Sequence, residues 1–216
     1  MDALPFEVRF EMEGWRLFWA LLESQPSHSE ALLEVSREEV AGRVRTDLEL
    51  EMLSTHPTVA ALRKLFRAAG CDPTRYRPSS EALLRRLLKG EELPTINPLV
   101  DLNNCLSASL AVPCCVMAEE KVSPPFVFRV GRPGESYESL RGPFNLEGKP
   151  LLVDAQGPCD APISGNQRVK VTPETERAWL VAYLPAGVVV PEKAERQLRE
   201  LLRAAPVAHL LLIAAT

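Results

Sequence analysis

The chain has 216 residues, 46% hydrophobic and 25% charged, which suits one well-packed globular domain and rules out a fibrous or disordered composition. Its formal net charge of −4 is not the strong basic excess of an autonomous, salt-sensitive nucleic-acid binder. Five cysteines, Cys71, Cys105, Cys114, Cys115 and Cys159, stand in a chain whose start, Met1-Asp2-Ala3-Leu4-Pro5, has no secretory character. Reduced thiols and a cytoplasmic location are therefore expected. The most apolar run, Val207 to Thr216, is interrupted by His209 and is too short for a bilayer, so no membrane partner is expected.

Phe6, Val8 and Phe10 alternate like a short strand, after which helical patterns run to Lys89. Ser29 to Val44 and Thr58 to Ala69 are two of these, the second stopped by Gly70. Ser79 to Lys89 is a third, with Glu81 near its positive end and Arg85, Arg86 and Lys89 before Gly90. From about Val112 the character changes to short β-branched or aromatic runs separated by Gly and Pro. Ala111–Met117, Phe126–Val130, Leu151–Ala155, Arg168–Thr172 and Trp179–Leu184 are the expected strands. A helix over Pro191–Ala204 and a strand over Ala208–Ala214 close the chain. The plan is an α+β fold in a single domain, 1–216, with a helical N-terminal extension of about residues 1–60.

One helix is unusual. In Asn97-Pro98-Leu99-Val100-Asp101-Leu102-Asn103-Asn104-Cys105-Leu106-Ser107, Leu99, Leu102 and Leu106 share a face, and Asp101, Asn103, Asn104 and Ser107 crowd the rest. Such residues compete with the backbone for hydrogen bonds and weaken helices. They either brace neighbouring strands or line a polar pocket. A second signal is the basic set Arg63, Lys64, Arg67, Arg75, Arg77, Arg85, Arg86 and Lys89. It is either a solvated face paired with Glu81, Glu91 and Glu92 or a local phosphate-contacting face.

Other chemistries find little support. His28, His56 and His209 are scattered and Cys114-Cys115 are adjacent, so neither gives metal-ligand spacing. Gly131-Arg132-Pro133-Gly134 reads as a turn and not a phosphate loop, and Ser164-Gly165 is not a nucleophile elbow. No metal and no cofactor is expected.

The segments Tyr76–Arg86 and Asn97–Asn104 resemble the stand-alone B3/B4 domain proteins, relatives of the editing module in the β subunit of phenylalanyl-tRNA synthetase. Leu151-Leu152-Val153-Asp154, Pro162-Ile163-Ser164-Gly165 and Lys170–Thr175 agree in order and spacing, and the resemblance runs from about Leu62 to Leu202. It implies a β-sandwich of unusual topology with flanking helices. It also implies trans-acting deacylation of mischarged tRNA, the synthetase module clearing tRNA charged with tyrosine in place of phenylalanine. Where bacterial β subunits commonly read Gly-Gly-Glu, this chain reads Gly165-Asn166-Gln167, so Gln167 would hydrogen-bond with altered preference.

An aminoacyl ester is already activated, so a held water and oxyanion donors suffice without a side-chain nucleophile. Under this resemblance Asn103, Asn104, Ser164 and Gly165 are the catalytic candidates. Asp101, Ser107, Glu135, Asp154, Asn166 and Gln167 are candidates to bind substrate, with Glu135 and Asp154 suited to its ammonium. Arg63, Arg67, Arg77, Arg85 and Arg86 are candidates for tRNA phosphates. The alternative is a non-catalytic binding module for tRNA or an amino-acid-like ligand.

Overall fold

A computed structural model describes residues 1–25 and 30–216. Its strands are β1 (Val8–Phe10), β2 (Trp15–Ser24), β3 (Cys114–Ala118), β4 (Phe126–Val130), β5 (Ser136–Ser139), β6 (Gly142–Asn145), β7 (Pro150–Asp154), β8 (Gly157–Ala161), β9 (Ser164–Gly165), β10 (Arg177–Pro185) and β11 (Ala208–Ala215). Its α-helices are α1 (Glu30–Asp47), α2 (Pro57–Ala68), α3 (Ser79–Leu88), α4 (Pro98–Leu110) and α5 (Pro191–Ala204). The expected Ser29 helix start and His28 lie outside the described residues.

The architecture is α+β and layered. A five-stranded sheet runs β1-β4-β7-β8-β9, a four-stranded sheet runs β11-β2-β10-β3, and β5-β6 is a separate hairpin. Only β1 and β4 pair in parallel within the larger sheet; its other pairs are antiparallel.

Strands β2 and β10 explain the layering. Trp15, Leu17 and Trp19 of β2, with Trp179, Val181 and Tyr183 of β10, bury against Phe126, Phe128, Leu152 and Cys159 of the larger sheet. The alternate residues Phe18, Ala20, Leu22, Leu180 and Leu184 bury against α1, α3, α4 and α5. The four-stranded sheet is thus covered on both faces, one by the other sheet and one by helices. Aromatic contacts lock the sandwich, Trp19 to Phe126 at 5.0 Å and Trp15 to Phe128 at 5.2 Å between centroids.

Two expectations are corrected. The first 60 residues are not a purely helical extension: α1 lies there at 30–47, but β1 and β2 occupy residues 8–10 and 15–24 and β2 lies inside the four-stranded sheet. A strand buried on both faces reads as an unbroken apolar run, so its period of two is invisible in sequence. Arg168–Thr172 is not a strand either. Gln167–Val169 forms a 3₁₀ turn because the Asn166 side chain accepts from Arg168 N, and Lys170 keeps one isolated bridge to Met117.

Helix α4 is specified by its ends. Asn97 Oδ1 accepts from Val100 N at 3.0 Å, Pro98 takes the first helical position, and Ala111 ends the helix at φ 57°. Without a Cβ-free residue there, this left-handed end is held by the surrounding core, where Ala111 and Val112 are buried.

Candidate functional site

The polar residues of α4 mostly find internal partners. Asp101 accepts Ile96 N on Oδ1 and Arg37 Nη1 on Oδ2, each at 2.9 Å. Burial pushes its carboxyl above the usual range and outweighs the lowering by these donors. Ser107 donates to Val112 O at 2.7 Å and helps close the helix end. Asn103 donates to Cys114 O at 3.4 Å, and its Oδ1 is buried without a hydrogen-bond partner. Asn104 is half-buried. Internal bracing therefore accounts for Asp101 at the head of α4 and Ser107 at its end, while Asn103 reaches strand β3 at Cys114 with its Oδ1 left unpartnered.

From Asn103 a chain of contacts crosses the sandwich. Cys114 begins β3, and the next residue, Cys115, places Sγ 3.7 Å from the Tyr183 hydroxyl on β10. Tyr183 donates to Asp160 Oδ2 on β8 at 2.6 Å. Asp160 pairs with Gly165 across β8 and β9. A Cβ at Gly165 would stand 3.6 Å from Asp160 Oδ1 and 3.3 Å from the Leu140 side chain, so glycine keeps this corner narrow but clear. Tyr137 on β5 donates its hydroxyl to Ser164 O and closes the corner from the hairpin side.

Asp160 is 2% exposed. Burial pushes its carboxyl up to about 7, tempered by the donated Tyr183 hydroxyl. A carboxyl that titrates near neutrality beside Gly165 and Ser164 is suited to proton transfer. Sequence reasoning missed Asp160 and Tyr183. The available signal was one acid in the otherwise uncharged strand Gly157-Pro158-Cys159-Asp160-Ala161, just before the Pro162 turn.

The remaining substrate-binding candidates stand apart from this corner or are internally bonded. Asn166 donates to Pro158 O at 2.9 Å and accepts Arg168 N at 2.8 Å, while Gln167 is exposed. Asp154 is bracketed by Arg168 at 2.9 and 3.1 Å, Ser123 N and Gln156 N. Glu135 is clamped by Arg129 at 2.6 and 2.7 Å and by Arg132 N, and these donors hold its carboxyl below the usual range. For an incoming ammonium, both carboxylates already hold a guanidinium.

The basic candidates divide in two. Arg63 and Arg85 both bond Oε1 of the fully buried Glu81, at 2.8 and 2.9 Å, and tie α2 to α3. Arg86 pairs with Glu91 at 3.0 Å. Arg67 and Arg77 are exposed, as are Lys64, Arg75 and Lys89. Ser79 N, at the head of α3, donates to Pro162 O at 2.9 Å, which sets this basic segment against the Ser164 corner.

A cleft of about 930 Å³ opens at the other end of α4, lined by Arg37, Asn97, Asp101, Thr172 and Glu174 among others. Among the described residues, no three His, Cys, Asp or Glu side chains are grouped to hold a metal ion, and no helix is long and apolar enough to cross a membrane.

A family model described as the B3/4 domain matches residues 61–200. Among solved structures, the chain is similar to an N-terminal fragment of the phenylalanyl-tRNA synthetase β-subunit from Pyrococcus horikoshii. The TM-score is 0.51 at 13% identity, over 100% of this chain and 55% of that one. The chain thus spans about half the length of the fragment, and at this identity the likeness shows the fold. No curated protein matches it.

Proposed function

The chain belongs to the B3/4 domain family, and from that premise we propose that it hydrolyses the ester of mischarged aminoacyl-tRNA in trans. The observation that carries this reading is Asp160, which pairs with Gly165 across β8 and β9 and accepts the Tyr183 hydroxyl from the other sheet, at the corner formed by the family-resembling Ser164–Gly165 segment. Asn103 reaches the same sandwich through the backbone carbonyl of Cys114, one residue before the Cys115 that touches Tyr183.

In the proposed reaction a water attacks the ester carbonyl, and Asp160 takes its proton. The tetrahedral oxyanion is stabilised by the amides of Asn103 and Asn104, with the Ser164–Gly165 segment orienting the ester. The bond to the ribose oxygen then breaks, releasing free amino acid and uncharged tRNA. The proton on Asp160 passes to the departing ribose oxygen. The exposed Arg67 and Arg77 attract the tRNA phosphates, and Arg86 joins them at the edge.

The closure of the corner favours a second reading. Asp160 is 2% exposed and Tyr183 is fully buried, as suits a non-catalytic module for tRNA or an amino-acid-like ligand. The test is amino-acid release by the purified protein from a panel of mischarged tRNAs. Hydrolysis that Asp160→Asn and Asn104→Ala impair supports editing. Tight binding of tRNA or free amino acid without release supports the binding module.

A further inference from the structure

Lys149 is a buried cation without a buried anion. It is 5% exposed, its ammonium donates to Glu147 O at 3.2 Å, and it lies 4.2 Å from the Tyr76 ring centroid and 5.6 Å from that of Phe144. Among the described residues no carboxylate is in salt-bridge range of it. Aromatic faces attract a cation but do not neutralise it, so a counter-charge arriving from outside would be held strongly.

The surroundings fit one kind of visitor. Arg75 places its guanidinium 5.1 Å from the Tyr76 centroid and is exposed, as is Arg77. Tyr76, Phe144 and Tyr137 form a file of half-buried rings, with centroid separations of 6.2 and 6.1 Å. The file ends at Ser164, whose carbonyl accepts the Tyr137 hydroxyl, and the basic segment is joined to the same corner by Ser79 N to Pro162 O. Cations beside aromatic side chains are the features that hold unpaired nucleotides: phosphates meet the cations and bases stack on the rings. The group is a local basic feature of a chain whose net charge is −4, so the attraction is directed to this face.

We propose that Arg75, Tyr76, Arg77, Phe144 and Lys149 form a landing strip for the unpaired 3′ end of an RNA, leading its terminal ribose to the Ser164–Gly165 corner. This deepens the preceding reading and rests on it for the ester at that ribose. The binding strip itself is testable without catalysis.

The probe is a fluorescent RNA hairpin with a 3′ overhang of about four nucleotides, compared with the same hairpin made blunt. The wild-type protein binds the overhang form more tightly. Tyr76→Ala with Phe144→Ala weakens overhang binding about tenfold or more and leaves blunt binding unchanged. Lys149→Met, which keeps the packing against the rings, weakens overhang binding and lowers its salt slope by about 0.7. Arg75→Gln with Arg77→Gln, on exposed side chains, reduces the overhang preference even where the aromatic pair proves necessary for folding. Equal wild-type affinity for the two hairpins, equal losses on both, or an overhang preference retained in the folded variants would overturn the strip. Release of amino acid from an aminoacyl ester of adenosine, which lacks the strand, reports on the catalytic reading separately. A protein that prefers the overhang yet hydrolyses no ester supports the strip and removes that reading.

Discussion

The Tyr183 hydroxyl donates to Asp160 Oδ2 at 2.6 Å and joins the four-stranded sheet to the five-stranded one. Both residues are buried, with Phe128, Leu152 and Cys159 in the same apolar layer as Tyr183. A buried acid in such a layer is stabilised as its neutral form, and tyrosine supplies the hydrogen bond that either form accepts.

This contact makes stability depend on pH in a definite direction. The Asp160 carboxyl titrates at about 7 in the folded protein against 3.8 for its ordinary value. The folded state therefore binds the extra proton between those limits, and the stabilisation present at about pH 4 is lost as pH rises through 7. Asp160→Asn stays neutral and escapes that loss. Its melting temperature should exceed the wild-type value by a margin that widens from pH 4 to 8. A margin that does not change with pH would show that the Asp160 carboxyl is not raised.

The same group sets the expected profile of activity. Deacylation should rise with pH and level off above about 7, because only the carboxylate form of Asp160 accepts the water proton. Asn104→Ala should lower the rate by about ten- to a thousandfold while keeping this profile, as loss of an oxyanion donor does. Asp160→Asn should remove the rise itself. Initial rates of amino-acid release across pH 5 to 9 measure all three.

The arginines should separate by stability as well as by binding. Removing Arg63 and Arg85 leaves the buried Glu81 without its counter-charges, which costs about 3–5 kcal/mol. The double Ala variant should therefore unfold at markedly lower denaturant. Replacing exposed Arg67 and Arg77 should leave the midpoint within about 0.5 kcal/mol of wild type. It should also weaken tRNA binding similarly across sequences and flatten its salt dependence. The sequence leaves the basic set open between a face paired with Glu81, Glu91 and Glu92 and a phosphate-contacting face; it does not separate the arginines, because burial of Glu81 is a tertiary fact.

The thiols should be inert in the native state. Burial pushes Cys71 up to about 11 and Cys105 up to about 12, and it raises Cys115 and Cys159 as well. Thiolate is the reactive form, so at pH 8 these groups are almost wholly protonated. Iodoacetamide should label these four thiols slowly or not at all until denaturant is added, as mass spectrometry would show. Deacylation should survive the treatment.

Much of this fold was legible wherever an element has one wet face or a marked end. Helix α5 and strand β4 fall where Leu198 and Leu201, or Phe126 and Phe128, set the pattern. The Asn97–Pro98 start of α4 was equally plain. Strand β2 was not, since Leu17 and Phe18 are both fully buried on opposite faces. For the proposed site, the family resemblance offers Asn103, Ser164 and Gly165 as candidates. Asp160 and Tyr183 emerged only when β8 and β10 were brought together, because no local spacing links residues 23 positions apart.

The two-faced burial of β2 has its own consequence. Trp19 faces Phe126 and Trp179, while Phe18 faces the helices, and both side chains are fully buried. In a strand with one wet face, one of two successive Ala substitutions would be nearly silent. Here Phe18→Ala and Trp19→Ala should each cost about 3–5 kcal/mol, since each opens a cavity in a different core. Chemical denaturation of both single variants decides the matter. A silent substitution at either position would place β2 at a solvent-facing surface and undo the three-layer arrangement.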